Sequence, residues 1–191
     1  MNHLSKSRYL KGLKCFKRLY LDVYRRELKD KGSGAQQAIS DMGTRVGIIA
    51  RQKFADGRLV SEKFWDHEAA VKTTKELIQD ATVPAIFEAA FTYNNVRARV
   101  DILVRDKKHK NAFQLIEVKS ATTPKPFYIK KDLAIQFYVL EGLGLHISRA
   151  NILLINKNYR YEGGKHNLDE LFELHEVDCK FLRCGLQNRI Q

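Results

Sequence analysis

Arg97-Ala98-Arg99-Val100-Asp101-Ile102-Leu103-Val104 and Phe113-Gln114-Leu115-Ile116-Glu117-Val118-Lys119-Ser120 are two strand-like runs, rich in the aliphatic and β-branched residues that suit a pleated, half-buried surface. Asp106-Lys107-Lys108-His109-Lys110-Asn111 between them has turn composition, so the two runs are expected to pair as an antiparallel hairpin. Side chains alternate faces along a strand, which puts Glu117 and Lys119 on one side, and a matching register brings Asp101 beside them. Two carboxylates and an ammonium on one sheet face resemble a divalent-metal hydrolase site.

Working outward, Pro84 opens a strand-rich stretch, and Asn94-Asn95 supplies the turn for a hairpin ahead of the Asp101 strand. Asp66 to Asp80 reads as a helix whose buried stripe includes Ala70, Val71, Leu77 and Ile78. Upstream, Leu4, Tyr9, Leu10, Leu13, Phe16, Leu19, Tyr20, Val23 and Tyr24 fall at largely helical spacing after Ser5, a candidate N-cap. Asp30 to Gly34 breaks the pattern, and Ile39 to Phe54 resumes it. Downstream, Asp132 to Leu145 predicts a helix ending at Gly142 or Gly144, and Ala150 to Asn156 a buried strand. A loop around Gly163-Gly164 and a short helix near Leu168 to Leu174 complete the reading. The fold class is α/β with a mixed sheet, in one domain over residues 1–191. Its parts are N-terminal helices to about residue 80, a sheet core to about 160 and a C-terminal appendage.

The chain carries 34 Lys and Arg against 22 Asp and Glu, a net charge of +12 and a pI near 9.6. That balance suits a polyanionic partner. No run of about 18 apolar residues exists, and no apolar segment follows the charged N-terminus, so neither a membrane partner nor a secretory signal is expected and the location reads as cytoplasmic. Three cysteines do not make a disulfide framework.

Val100-Asp101 followed by Glu117-Val118-Lys119 resembles the PD-(D/E)xK nuclease superfamily. Glu88, within Ile86-Phe87-Glu88-Ala89-Ala90-Phe91, sits where RecB-type members often carry another acid. Leu4-Ser5-Lys6-Ser7-Arg8-Tyr9 with Cys15-Phe16-Lys17-Arg18-Leu19-Tyr20-Leu21 is similar to the Cys-Pro-Arg-Arg-like start of RecB-type and CRISPR-associated nucleases. The resemblance spans about Leu4 to Leu145 and implies a restriction-endonuclease-like αβββαβ core with additional N-terminal helices. Two departures stand out. Gly43-Thr44-Arg45-Val46-Gly47 resembles the family's Gly-x-x-x-His with Gly47 in the histidine position. Gln136-Phe137-Tyr138 lacks the spacing of Gln-x-x-x-Tyr, and an alternative alignment puts Asp132 and Gln136 at those two positions.

The resemblance implies metal-dependent hydrolysis of DNA leaving a 5′-phosphate. Asp101 and Glu117 are the expected ligands of Mg²⁺ or Mn²⁺, hard cations that take oxygen donors and keep their waters. By resemblance the Val118 carbonyl joins them, and Glu88 either ligates or supports a ligand. Lys119 would orient the attacking water and stabilise developing charge, with Gln136 as a polar contact. Lys125, Tyr128, Lys130 and Lys131 are candidates for phosphate contacts or base stacking, and equally for a solvated loop and helix start. Single-stranded, flapped or free-ended DNA is the expected substrate, with RNA and a protein partner left open. An iron-sulfur cluster is disfavoured, because only Cys15, Cys179 and Cys184 are present and four thiolates are usual. The rival reading is a catalytically silent or partner-dependent nucleic-acid-binding module.

Overall fold

The computed structural model describes residues 3–30, 32–123 and 126–184. In chain order the elements are β1 (Leu4–Ser5), α1 (Lys6–Lys14), α2 (Phe16–Tyr24), α3 (Gly34–Arg51), β2 (Arg58–Leu59), α4 (His67–Gln79), β3 (Ala85–Tyr93), β4 (Val96–Arg105), β5 (Ala112–Lys119), α5 (Pro126–Gly142), β6 (His146–Ile155), α6 (Leu168–Leu171), β7 (Phe172–Val177) and α7 (Cys179–Cys184). The strands form one mixed sheet in the order β2-β3-β4-β5-β6-β7, with β1 set against β4. The protein is therefore an α/β fold.

The two expected hairpins are present. Asn94 and Asn95 both have positive φ, the backbone a two-residue β-hairpin turn requires and one that asparagine tolerates. The second turn is held by Asp106, whose carboxylate accepts from the Lys108 N–H and from the Ser148 hydroxyl. β5 and β6 run parallel, so the chain must cross between them, and α5 makes that crossing. It is apolar around most of its circumference because it is buried: Leu133, Ile135, Phe137, Val139 and Leu140 are all at most 1% exposed.

Two cores flank the sheet. The larger gathers Ala70 of α4 and Leu133, Phe137 and Leu140 of α5 against Ile86, Val100, Leu115 and Leu154. The smaller packs Val46 and Ala50 of α3 on Phe87, Ile102, Ile116 and Leu153. β4 changes phase between them: Val96, Ala98 and Val100 face the larger core, yet Ile102, two residues on, faces the smaller one. Asp101 sits at that change.

Several boundaries differ from the sequence reading. α3 begins at Gly34 because Ser33 and Gln36 form a capping box. α5 begins at Pro126, a residue pre-set for the first helical turn, ahead of the expected Asp132. β6 starts at His146, ahead of the expected Ala150. The helix expected to Leu174 stops at Leu171, because Phe172–Val177 pair antiparallel with β6 as the edge strand. With Leu182 of α7 1% exposed, residues 168–184 extend the sheet and core and do not hang from them. Among the described residues no helix is long and apolar enough to cross a membrane.

Candidate active site

β4 pairs with β5 only over Ile102–Arg105, whereas β5 stays paired with β6 as far as Lys119. Glu117-Val118-Lys119 therefore diverge from β4 and open a fork. The same edge of β4 is taken up again by β1 at Val96 and Arg97, so the fork lies between two strand partners. The Val118 N–H, which lacks a β4 carbonyl, donates to Asp101 Oδ2 at 2.8 Å. Across β3 and β4 the ladder pairs Phe87 with Ile102 and Ala89 with Val100. Glu88 and Asp101 face each other at the one unpaired position between them. Glu88 has φ +56°, a left-handed conformation that is strained in a non-glycine residue and is concentrated at functional sites. Arg99 compensates, its Nε donating to the Glu88 carbonyl at 3.2 Å.

Glu117, 1% exposed, is the hub. Lys6 Nζ lies 3.0 Å from its Oε1 and 3.1 Å from its Oε2. Lys119 Nζ is 2.6 Å from Oε1, and Gln136 Nε2 donates to Oε2 at 2.7 Å. Asp132, one helical turn before Gln136, takes Lys119 at 2.5 Å and Lys6 at 3.3 Å. Two buried carboxylates, Glu117 and Asp132, thus share two ammonium groups. Burial opposes the ionised form of Glu117, but Lys6 and Lys119 outweigh it and hold its carboxyl low. Asp101 is pushed well above the usual carboxylate range by burial and by the Glu117 charge, and Asp132 is raised for the same two reasons. Burial would deprotonate the lysines; Glu117 and its neighbours reverse this and keep Lys6 and Lys119 charged.

The fork opens into a cleft of about 370 Å³, walled by Asp101, Glu117, Lys119 and Glu88 on the sheet and by Gly47 and Arg51 on α3. Gly47, in the expected histidine position, faces open space: a Cβ there would meet nothing within 4 Å. One turn on, Arg51 ion-pairs Glu88 at 2.6 Å. Asp101, Glu117 and Glu88 bring carboxylates to one cleft, the oxygen donors that a hard divalent cation takes. Among the described residues no group of three or more His, Cys, Asp or Glu side chains is arranged to hold a metal ion; Glu88 is held by Arg51 and Glu117 by the lysines.

Of the residues singled out by sequence, Glu88, Asp101, Glu117, Val118 and Lys119 come together in this cleft, and Gln136 reaches it through Glu117. Of the two positions in the alternative alignment, Asp132 pairs with Lys119 and Lys6, and Gln136 donates to Glu117. Lys125 lies outside the described residues, as does the side chain of Tyr128. Lys130 places its ammonium 4.5 Å from the Phe181 ring, and neither it nor Lys131 lines the cleft. Cys15 is exposed at the α1–α2 junction and Cys179 opens α7. Lys6 and Arg51 were missed. Lys6 lies 111 residues from Glu117, and nothing local in the sequence links them.

No family model matches the chain, and no curated protein matches it by sequence. Among solved structures, the crystal structure of the protein SSO0001 is similar over 96% of this chain and 73% of that one, at 12% identity and a TM-score of 0.42.

Proposed function

We propose that this protein is a divalent-metal-dependent nuclease that hydrolyses phosphodiester bonds in DNA. The observation that carries the reading is the meeting of Asp101, Glu117, Lys119 and Glu88 in one cleft, at a fork where β4 and β5 part. The order α4-β3-β4-β5-α5-β6 supports a restriction-endonuclease-like core. Mg²⁺ or Mn²⁺ held by Asp101, Glu117 and the Val118 carbonyl, with Glu88 in support, would polarise the phosphate and supply an activated water. Lys119 acts as an ammonium and not as a base, since Glu117 and Asp132 raise its pKa; its proton stabilises charge growing on a phosphate oxygen. Gln136 orients Glu117, and Lys6 joins Lys119 in balancing its charge.

The second reading, a nucleic-acid-binding module without catalysis, draws on the same contacts, because both Glu117 oxygens are already engaged by protein donors. Cleavage of end-labelled single-stranded and duplex DNA in Mg²⁺, Mn²⁺ or chelator, by wild type, Asp101→Asn and Lys119→Ala, separates the two. Metal-dependent cleavage lost in both variants supports the nuclease. Binding without cleavage by wild type in either metal supports the silent module.

A further inference from the structure

A second cleft, of about 590 Å³, is lined in part by Lys6 and bounded by β1, the start of α1, the start of β4 and Phe64. Five cationic side chains line it, Lys6, Arg8, Arg26, Arg97 and Arg99, and no carboxylate does. Carboxylates outside the lining reach three of these cations: Glu117 and Asp132 pair with Lys6, and Asp22 and Glu68 stand 3.9 Å from Arg8 and Arg97. Two nitrogens belonging to lining residues, Arg97 Nε and His3 Nδ1, are buried without a hydrogen-bond partner among the described residues. The hydroxyls of Ser5 and Ser7 add polar capacity beside them. Such a wall selects a ligand with several negative charges and acceptor oxygens.

One feature of the cleft is not explained by charge. Phe64 is 79% exposed and its neighbour Trp65 70% exposed, the rings standing edge to face with centroids 4.8 Å apart. Two large aromatic groups held in water beside a basic cleft offer a platform on which unpaired bases stack. A duplex keeps its base faces covered and gains nothing from them. Lys6 joins the two clefts: it lines this one while its ammonium lies on Glu117. Arg26 also lines a further cleft of about 780 Å³ along α2, with Lys17, Arg18, Arg25 and Lys29.

We infer that this cleft binds the single-stranded segment of a polynucleotide flanking the bond to be cut, its phosphates on Arg97, Arg8 and Arg26 and a base on Phe64 and Trp65. The inference rests on the nuclease reading, since it makes the cleft a subsite of that centre. It assigns the strand's approach to the β1 side of the fork.

Trp65 is the only tryptophan in the chain, so its emission reports on this platform directly. Oligothymidylate of about 15 nucleotides, its uridylate counterpart and a duplex of equal length are titrated into the full chain in chelator, where turnover cannot intervene. Anisotropy of the labelled strand and Trp65 emission are both followed. Wild type should bind the single strand with quenching of Trp65. Phe64→Ala should weaken that binding by about tenfold while leaving duplex affinity unchanged. Arg26→Ala, a change at an exposed position, should weaken single-strand binding and lower its salt slope by roughly 0.7. Equal binding of the thymidylate and uridylate strands sustains the inference for single strands of either sugar. Wild-type affinity in the Phe64 variant, or an equal loss on duplex and single strand, overturns it. If wild type cleaves DNA but these variants bind normally, only this subsite fails; if wild type binds no polynucleotide at about 50 mM salt, the nuclease reading fails as well.

Discussion

Replacing Lys6 by methionine keeps the side chain's hydrocarbon and removes its charge from a cluster in which two ammonium groups face Asp101, Glu117 and Asp132. Glu117 and Asp132 are 1% and 3% exposed, so water cannot replace what is lost. Removing one partner of a buried ion pair costs about 3–5 kcal/mol. Lys119 remains 2.6 Å from Glu117 and 2.5 Å from Asp132, which puts the expected loss near the lower end, about 3 kcal/mol. For a chain of this size that lowers the melting point by about 6–12 °C. The loss should depend on pH in a defined direction. Asp101 and Asp132 have folded pKa values raised above the unfolded value of about 3.9. Between the unfolded and raised values the folded state therefore holds more protons, and stability falls as pH rises through that window. Taking away Lys6 raises both carboxyls further, so the variant's deficit should be larger at about pH 8 than at about pH 5. Urea unfolding at the two pH values measures it. A variant within about 1 kcal/mol of wild type at both would refute the claim that Lys6 supports the burial of Glu117.

Asp101→Asn should reduce metal-dependent cleavage by at least about a hundredfold while unfolding at least as late as wild type near pH 8, because the neutral amide escapes the burial and Glu117 repulsion that raise the Asp101 pKa; a nicking assay beside urea unfolding reads both. Gly47→Ala, mid-helix and facing open space, should stabilise the protein by about 0.5–1 kcal/mol, and a loss in thermal unfolding would mean that the cleft wall is closer than it stands. Gly142→Ala should cost about 1–3 kcal/mol, since its Cβ would fall within 2.6 Å of the Tyr93 ring; calorimetric melting decides it.

The sequence made the β3-β4-β5 meander legible because its signals are local: alternating apolar residues, paired asparagines at one turn and Asp106 at the other. Asp101, Glu117 and Lys119 were legible for the same reason, lying on adjacent strands across a short turn. β7 was not. Phe172-Glu173-Leu174-His175-Glu176-Val177 has no strong periodicity, and it is extended because β6 offers an edge to pair with, a tertiary demand that overrides weak local preference. β1 is only two residues long, too short to carry a pattern. Lys6 and Arg51 belong to the site through contacts spanning 111 and 37 residues, and no local spacing encodes such pairs. The starts of α3 and α5 were present as signals, a Ser33–Gln36 capping box and a Pro126 at the first turn.

Asp101 has a structural task that bears on how its chemistry is tested. Where β5 leaves β4, the Val118 N–H loses its strand partner, and a buried amide left unpaired costs about 1–3 kcal/mol. The Asp101 carboxylate takes that N–H, at the position where β4 changes phase and Glu88 adopts its left-handed backbone. One oxygen of Asp101 thus seals the fork, and the residue still lines the cleft. An alanine in its place removes both functions, so lost cleavage in Asp101→Ala reports on the fork as much as on the reaction. Asparagine keeps an acceptor for Val118 and removes only the charge. Asp101→Ala should therefore unfold earlier than Asp101→Asn by about 1–3 kcal/mol although both lack the carboxylate; equal stability would mean that the Val118 N–H finds another partner and that the fork does not depend on Asp101.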